Sequence, residues 1–186
     1  MAVFSQEEEK YLLKLARIKI KSHLTGSELE LLDEDLFISD EKLGCFVTLQ
    51  KDNKLRGCIG MINPVMNLTD GVKDNAVSAA FRDTRFSPVT LDELPDIQIE
   101  ISVLSKPVEL DFKNSQDLLN QIEAGKHGVI LENGYNRSTF LPQVWEQLPL
   151  KEDFLSHLCK KAGMMRDCWK SNDTIVKIYT VICFSE

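Results

Sequence analysis

The most restrictive feature of the sequence is a pair of apolar segments joined by a short polar turn. Gly44–Leu49 precedes the polar residues Lys51–Lys54, and Leu55–Ile59 follows them. Two strand-forming runs with a few turn residues between them are typical of a β-hairpin. Further along, Ile97–Val103 alternates apolar and polar residues, which predicts a strand with one buried face. The chain must therefore build at least one antiparallel sheet.

Helical spacing of apolar residues surrounds this hairpin. Ser5–Glu8 forms a capping box, and apolar residues then recur at helical spacing from Tyr11 to about Ser22. Further helices are predicted from Val72 to Ala80, from Ser115 to about Glu123, and from Glu152 to Lys161. The elements do not alternate as in a parallel α/β protein. The sequence predicts an α+β fold of mainly antiparallel sheets with flanking helices.

The C-terminal half adds a second strand-rich region. Val129–Leu131 and Arg137–Leu141 flank the Asn133–Gly134 pair, which is a signal for a tight hairpin. Thr174–Phe184 is apolar on both faces and is predicted to form one long strand in the centre of a sheet. The whole chain of 186 residues suits a single domain.

Charge and hydropathy narrow the class of protein. The net charge is −7 and comes from the stretch 27–41, which holds seven acidic and no basic residues. Without a basic stretch, nucleic-acid binding is not expected. No segment resembles a signal peptide, and no apolar run approaches the ~20 residues that span a bilayer. We therefore expect a cytoplasmic protein that does not enter a membrane.

The cysteine spacing and the lack of cofactor-binding motifs argue against disulfides, a metal site and a cofactor. Five cysteines, an odd number, are widely spread, so reduced thiols are expected rather than disulfides. His157 and Cys159 lie two positions apart on a predicted helix and point to different sides, so no metal site is expected. No phosphate-binding loop or dinucleotide fingerprint occurs, and no cofactor is expected.

The hairpin carries the first candidate site. On a strand, Arg56 and Cys58 lie on one face, and Gly57 and Gly60 flank the thiol and leave room above it. A nearby guanidinium favours the reactive thiolate form of a cysteine. The alternative is that Cys58 is a small buried apolar residue, as most free cysteines are. The strand alone does not decide between these interpretations.

Two arginines and one histidine extend this site. Arg82 and Arg85 follow the predicted helix 72–80, where they either complement the helix dipole or join Arg56 in holding an anion. His127 lies between two glycines at the start of a strand and is the best-placed base to activate Cys58. The alternative for His127 is a loop histidine that bonds the backbone.

Four segments together resemble the AMMECR family, whose prokaryotic members are called AmmeMemoRadiSam system protein A. They are Leu55–Gly60, Ala80–Phe86, Gly125–Gly128, and the region from Leu141 to Gly163. The resemblance implies an α+β fold with a larger and a smaller subdomain, the smaller one within 111–163. It also implies a cleft near Leu55–Gly60 and partners among Memo-type and radical SAM proteins. It implies no established activity.

The resemblance also favours a common location for the site residues, since these fall in the segments that identify the family. They are Arg56, Gly57, Cys58, Gly60, Arg82, Asp83, Arg85 and His127. Three functions remain open at this point. The chain is a cysteine-dependent enzyme acting on an anionic substrate, a non-catalytic module that binds an anion, nucleotide or peptide, or an adaptor that docks partners through the acidic stretch 28–41.

Overall fold

The chain folds into two compact units, which we describe separately. A computed structural model describes residues 4–27, 41–171 and 173–186. The first unit comprises Met1–Leu104 and Ile182–Glu186, and the second comprises Ser105–Val181. The second unit contains the region 111–163, where a smaller subdomain was predicted.

Four helices and eight strands occur among the described residues. The helices are α1 (Gln6–Thr25), α2 (Leu68–Phe81), α3 (Ser115–Gln121) and α4 (Lys151–Lys161). The strands are β1 (Gly44–Lys51), β2 (Lys54–Met61), β3 (Ile97–Leu104), β4 (Val108–Glu109), β5 (Gly128–Asn133), β6 (Asn136–Phe140), β7 (Ile175–Tyr179) and β8 (Val181–Ser185).

The sheet of the first unit has the strand order β2-β1-β3-β8. β1 pairs antiparallel with both β2 and β3, as the sequence predicts. Asp52 and Asn53 form the hairpin turn with positive φ angles of 52° and 58°, a conformation that aspartate and asparagine tolerate. Alternate apolar residues such as Val47 and Ile101 are fully buried in a core that also contains residues of α1 and α2.

The predicted cap of α1 is present, whereas the residues that cap α2 and α3 were not predicted. α1 has the predicted capping box between Ser5 and Glu8, and it ends at Gly26 in the left-handed conformation. α2 begins earlier than predicted because the Asn67 side chain accepts a hydrogen bond from the Asp70 amide and caps the helix. Asn114, and not Ser115, caps α3 in the same way.

The sheet of the second unit has the order β4-β7-β5-β6. Its core contains residues of α3 and α4 together with both tryptophans. The Trp145 ring stacks on Phe154 at a centroid distance of 3.6 Å. Trp145 and Trp169 are both buried, so both are core residues of this unit.

The prediction of one long final strand is wrong. The segment divides at Thr180 into β7, which lies between β4 and β5 in one sheet, and β8, which is an edge strand of the other. At the break, the Thr180 carbonyl accepts the Ser105 amide, and the Thr180 amide donates to the Ser105 hydroxyl. An apolar run does not reveal a change of sheet, because both halves remain half-buried strands.

The expectation that all five cysteines are reduced is also wrong. Cys159 on α4 and Cys168 form a disulfide with a Cα–Cα distance of 6.0 Å. Gly163, at a φ angle of +74°, reverses the chain after α4, and the Met164 amide donates to the Cys159 carbonyl. This reversal brings two cysteines that are nine positions apart into bonding range. Cys45, Cys58 and Cys183 are not in disulfides.

The predicted fold class is confirmed, because the chain forms two antiparallel sheets with flanking helices. In the described parts of the chain, no helix is both long and apolar enough to cross a membrane. Nearly all of the acidic stretch 28–41 lies outside the described residues.

Candidate functional site

Cys58 lies on β2, an edge strand of the first unit's sheet, directly opposite Thr48 on β1. The Thr48 hydroxyl donates a hydrogen bond of 3.3 Å to the Cys58 sulfur. The cysteine is partly exposed, so it is not the fully buried apolar residue of the alternative interpretation.

Asp83 and Arg85 close the open edge of β2 at Cys58. The Asp83 carboxylate accepts the Cys58 amide at 2.9 Å and is itself held by the Arg85 side chain at 2.6 and 2.9 Å. Arg85 Nη2 lies 3.4 Å from the Cys58 carbonyl oxygen. The two side chains therefore satisfy the backbone groups that a neighbouring strand would otherwise bind. We call Asp83 and Arg85 the edge clip.

The two charged side chains of the edge clip shift each other's pKa. The Arg85 side chain holds the pKa of the Asp83 carboxyl well below its usual range, and the amide of Cys58 adds to this effect. The pKa of the Arg85 guanidinium is raised, chiefly by its hydrogen bond with Asp83 and to a smaller extent by attraction to Cys58. Asp83 is buried, whereas the Arg85 side chain is 55% exposed.

The Arg56 guanidinium is paired with an acidic side chain and is mostly buried. The register of the hairpin shifts between Leu49 and Gln50, and this bulge leaves Arg56 without a partner on β1. Its Nε and Nη2 atoms donate to Glu93 at 2.7 and 2.9 Å, and Nη1 is buried without a hydrogen-bond partner. The Arg56 side chain is only 13% exposed. Arg56 therefore serves mainly as an internal ion-pair partner.

The charges around Arg56 also balance. Lys51 Nζ lies 3.5 Å from Glu93 and 3.9 Å from Asp96, so two cations face two carboxylates. Arg56 and Lys51 hold the pKa of Glu93 below its usual value. This cluster has no surplus positive charge with which to attract an anion.

The glycines of the hairpin have packing roles rather than the predicted one of leaving room above the thiol. A Cβ atom on Gly57 would lie 2.2 Å from the Ala79 carbonyl oxygen of α2. A Cβ atom on Gly60 would lie 2.3 Å from the Phe46 ring. Helix α2 and the Phe46 ring occupy the space that the missing side chains leave. A direct role of either glycine in binding stays a prediction.

Arg82 is the C-cap residue of α2, and it is exposed. Its amide donates to the Ser78 carbonyl at 2.8 Å. Together with the half-exposed Arg85, it supplies positive charge on the segment that follows α2. These two residues, and not Arg56, are the cations available to an incoming anion.

His127 belongs to the second unit, where it completes a turn between α3 and β5. Its Nδ1 atom accepts the Glu123 amide at 3.1 Å, its own amide donates to the Glu123 carbonyl, and its carbonyl accepts the Trp145 indole at 2.7 Å. Gly125 has a φ angle of +80°, and a Cβ atom on Gly128 would collide with the Tyr179 ring. We call residues 125–128 the histidine turn.

These bonds determine the form of the imidazole. Because Nδ1 accepts a hydrogen bond, the proton of the neutral ring is on Nε2. Burial lowers the pKa of His127, which is only 8% exposed. To act as a base, the ring must first release the Glu123 amide. The histidine turn therefore has a complete structural explanation of its own.

The structure thus brings together Cys58, Asp83 and Arg85, while it commits Arg56 to Glu93 and His127 to the histidine turn. Two site residues were missed by the sequence analysis, Thr48 and Glu93. Thr48 was detectable in principle, because hairpin register places it opposite Cys58. Glu93 carried no signal, since it lies in a loop 37 positions from Arg56.

The fold and site define an α+β protein with two antiparallel sheets and a partly exposed thiol on an edge strand. The AMMECR1 family model matches residues 13–184, so the chain belongs to the AMMECR1 family. This confirms the resemblance drawn from the sequence.

Similar proteins occur in archaea. The chain is 40% identical to a protein of Methanothermobacter thermautotrophicus, over all of this chain and 97% of the relative. It is 37% identical to a protein of Methanocaldococcus jannaschii, over 96% of this chain and 89% of the relative. The crystal structure of an uncharacterised protein from Pyrococcus horikoshii superposes with a TM-score of 0.84 at 34% identity, covering 98% of this chain and 93% of that one.

Proposed function

We propose that the protein is a cysteine-dependent enzyme in which the Cys58 thiol is the nucleophile. The observation that carries this proposal is the environment of the sulfur. The residue is partly exposed, its sulfur accepts a hydrogen bond from Thr48, and the edge clip binds the backbone on which it lies. A hydroxyl donor and a nearby guanidinium both stabilise negative charge on sulfur.

The substrate of this enzyme is anionic in our proposal, and its charge is held by Arg82 and Arg85. Arg85 remains half exposed despite its ion pair with Asp83, and Arg82 is exposed. Arg56 contributes indirectly, because its ion pair with Glu93 fixes the bulge next to Cys58. Substrate recognition by Arg56 itself, as first expected, has little support from this geometry.

His127 stays the predicted base for this reaction. To accept a proton, its Nδ1 atom must first release the Glu123 amide. A His127→Gln variant measures this directly. If His127 is the base, the variant slows alkylation of Cys58 at neutral pH. If the imidazole serves only the histidine turn, the rate is unchanged, and another group or water accepts the proton.

The nucleophile role is tested with electrophilic acyl donors such as aryl esters and thioesters. The chain is incubated with each donor, and the acylated peptides are identified by mass spectrometry. We expect acylation at Cys58, its loss in Cys58→Ser, and its retention in Cys183→Ser, which removes a more exposed thiol. Equal acylation of Cys58 and Cys183 would contradict the proposal.

A second candidate function is a non-catalytic module that binds an anion, a nucleotide or a peptide. The exposed charges of Arg82 and Arg85 favour it, because they are able to bind an anion without any help from the thiol. Pyrophosphate serves as the probe in a calorimetric titration. In a binding module, Cys58→Ser retains pyrophosphate binding, whereas Arg82→Gln weakens it.

The partners stay a proposal as well. Memo-type and radical SAM proteins as partners would place this chain in a multi-protein modification system. The adaptor role would use the acidic stretch 28–41 as a docking surface. Co-purification with a Memo-type protein that is lost at high salt, and lost when the acids of this stretch are neutralised, would support that role. Co-purification insensitive to both changes would count against it.

A further inference from the structure

The disulfide between Cys159 and Cys168 ties an exposed segment to the core of the second unit. Cys159 is fully buried on α4 and belongs to the same core as Leu158 and Trp169. Cys168 is only partly buried and begins a short 3-10 helix, Cys168–Lys170. The intervening segment 160–167 is mostly exposed, with 78% of Met165 accessible.

Two side chains of this segment also contact the rest of the unit: Lys161 Nζ donates to the Thr139 carbonyl at 2.9 Å and lies over the Phe140 ring, and Met164 packs against the core. The segment's own backbone hydrogen bonds are local, such as Gly163 to Lys160 and Cys168 to Met165. At its end, the Thr174 hydroxyl donates to the Cys168 carbonyl at 2.7 Å. A segment with local bonds and high exposure opens more readily than a core strand or helix. The disulfide at Cys168 therefore adds a covalent tie to the non-covalent contacts of Lys161 and Met164.

The residue after the disulfide carries an unsatisfied group. Trp169 is 2% exposed, and its indole N–H has no hydrogen-bond partner. A buried donor without a partner destabilises the arrangement that contains it, and movement into water would relieve this cost. The packed position of Trp169 is thus one that the disulfide helps to maintain.

We propose that Cys159–Cys168 is a redox latch that keeps residues 160–170 closed when oxidised and releases them when reduced. A dithiol reductant attacks the sulfur of Cys168, the less buried of the two cysteines, and the sulfur–sulfur bond breaks. Cys159 leaves and takes up a proton. The second thiol of the reductant then displaces Cys168, so the reductant becomes a disulfide and the protein gains two thiols. The latch does not depend on the proposed role of Cys58.

Limited trypsin digestion tests the latch, because Lys160, Lys161, Arg166 and Lys170 are cleavage sites within the segment. Digestion is followed by mass spectrometry with and without dithiothreitol. We expect reduction to accelerate cleavage after Arg166 by about tenfold or more, as for local opening of a segment. Cleavage after Lys126, in the exposed loop before β5, should not change.

Two variants serve as controls. The double variant Cys159→Ala, Cys168→Ser should be cleaved rapidly after Arg166 with or without dithiothreitol. Cys58→Ser should keep the full response to dithiothreitol. Three results would overturn the latch: intact mass showing five reduced cysteines in the aerobically purified protein, no acceleration after verified reduction, or equal acceleration after Lys126, which would make the bond a global staple of the unit.

Discussion

The hairpin around Cys58 and the histidine turn look alike as sequences but differ as structures. Both place one reactive residue between glycines. In the histidine turn, the Nδ1 atom and the carbonyl oxygen of His127 each have a hydrogen-bond partner within the second unit. Gly125 adopts a positive φ angle there, and Gly128 leaves room for the Tyr179 ring. At the hairpin, the glycines also serve packing, but the thiol stays partly exposed. A motif is a stronger functional candidate when packing does not explain its reactive group.

The largest effect expected from this comparison is that of Gly57→Ala. The new Cβ atom would lie 2.2 Å from the Ala79 carbonyl, so α2 must move away from β2. We expect a loss of about 3 kcal/mol in the free energy of unfolding, at the upper end of overpacking effects. Urea denaturation measures it. A loss below about 1 kcal/mol would show that α2 yields easily at this contact.

The next effect is that of Asp83→Asn, which breaks the edge clip. An amide oxygen can still accept from the Cys58 amide and from Arg85 Nη2, but the amide NH2 group then faces the Arg85 amide and Nε, which are themselves donors. We expect a loss of about 2 kcal/mol, typical of hydrogen bonds to a charged group, again from urea denaturation. Asp92→Asn, at an exposed position, is the matched control and should change stability little.

The same variant has a defined pH dependence. The pKa of Asp83 is lowered in the folded protein, so its carboxylate contributes stability above about pH 4, where the unfolded chain is also ionised. This contribution is lost progressively as the pH falls below that value. The difference in unfolding free energy between the wild-type protein and Asp83→Asn should therefore shrink between pH 5 and pH 2, and most of the expected difference of about 2 kcal/mol should disappear. A difference that is constant with pH would contradict the ion pair.

In the histidine turn, the matching glycine substitution should cost less. Gly125→Ala meets no atom within 4 Å, and its only penalty is the positive φ angle of 80°. We expect a loss of about 1 kcal/mol by urea denaturation, the usual cost of a left-handed non-glycine residue. A loss as large as that of Gly57→Ala would remove the distinction between backbone geometry and close packing on which the comparison rests.

The smallest effect is the pH response of His127. Burial lowers the pKa of its imidazole in the folded protein, so the unfolded chain binds the proton first. Stability should therefore decline slightly as the pH falls below about 6.5, the ordinary value for histidine. His127→Gln should lack this decline in thermal unfolding between pH 7 and pH 5. An identical decline in both proteins would assign it to other groups.

Local signals in the sequence predicted much of the fold. The capping box at Ser5 and the turn at Asp52–Asn53 depend on neighbouring residues only, and the structure confirms both elements. The break at Thr180 and the pairing of Cys159 with Cys168 depend on how the chain returns in space. Sequence periodicity carries no information about such returns.

In the candidate site, too, interactions between sequence neighbours were predictable and those between distant residues were not. Asp83 and Arg85 are two positions apart, and the sequence placed them correctly in one segment. The acidic partner of Arg56 lies 37 positions away in a loop, so nothing local indicated that its guanidinium was already paired. For this reason the sequence overestimated the positive charge available to a ligand.

The central claim is that Cys58 is a reactive thiol, and peptide-resolved labelling with iodoacetamide at pH 7 tests it most directly. Burial raises the pKa of Cys45 to about 11 and also raises that of Cys183, so both should react more slowly in the folded protein than in urea. We expect Cys58 to react faster in the folded protein than in urea, because the Thr48 hydroxyl donates a hydrogen bond to its sulfur. If folding slows Cys58 as it slows the other two, Cys58 is a packing residue and the proposed nucleophile role is wrong.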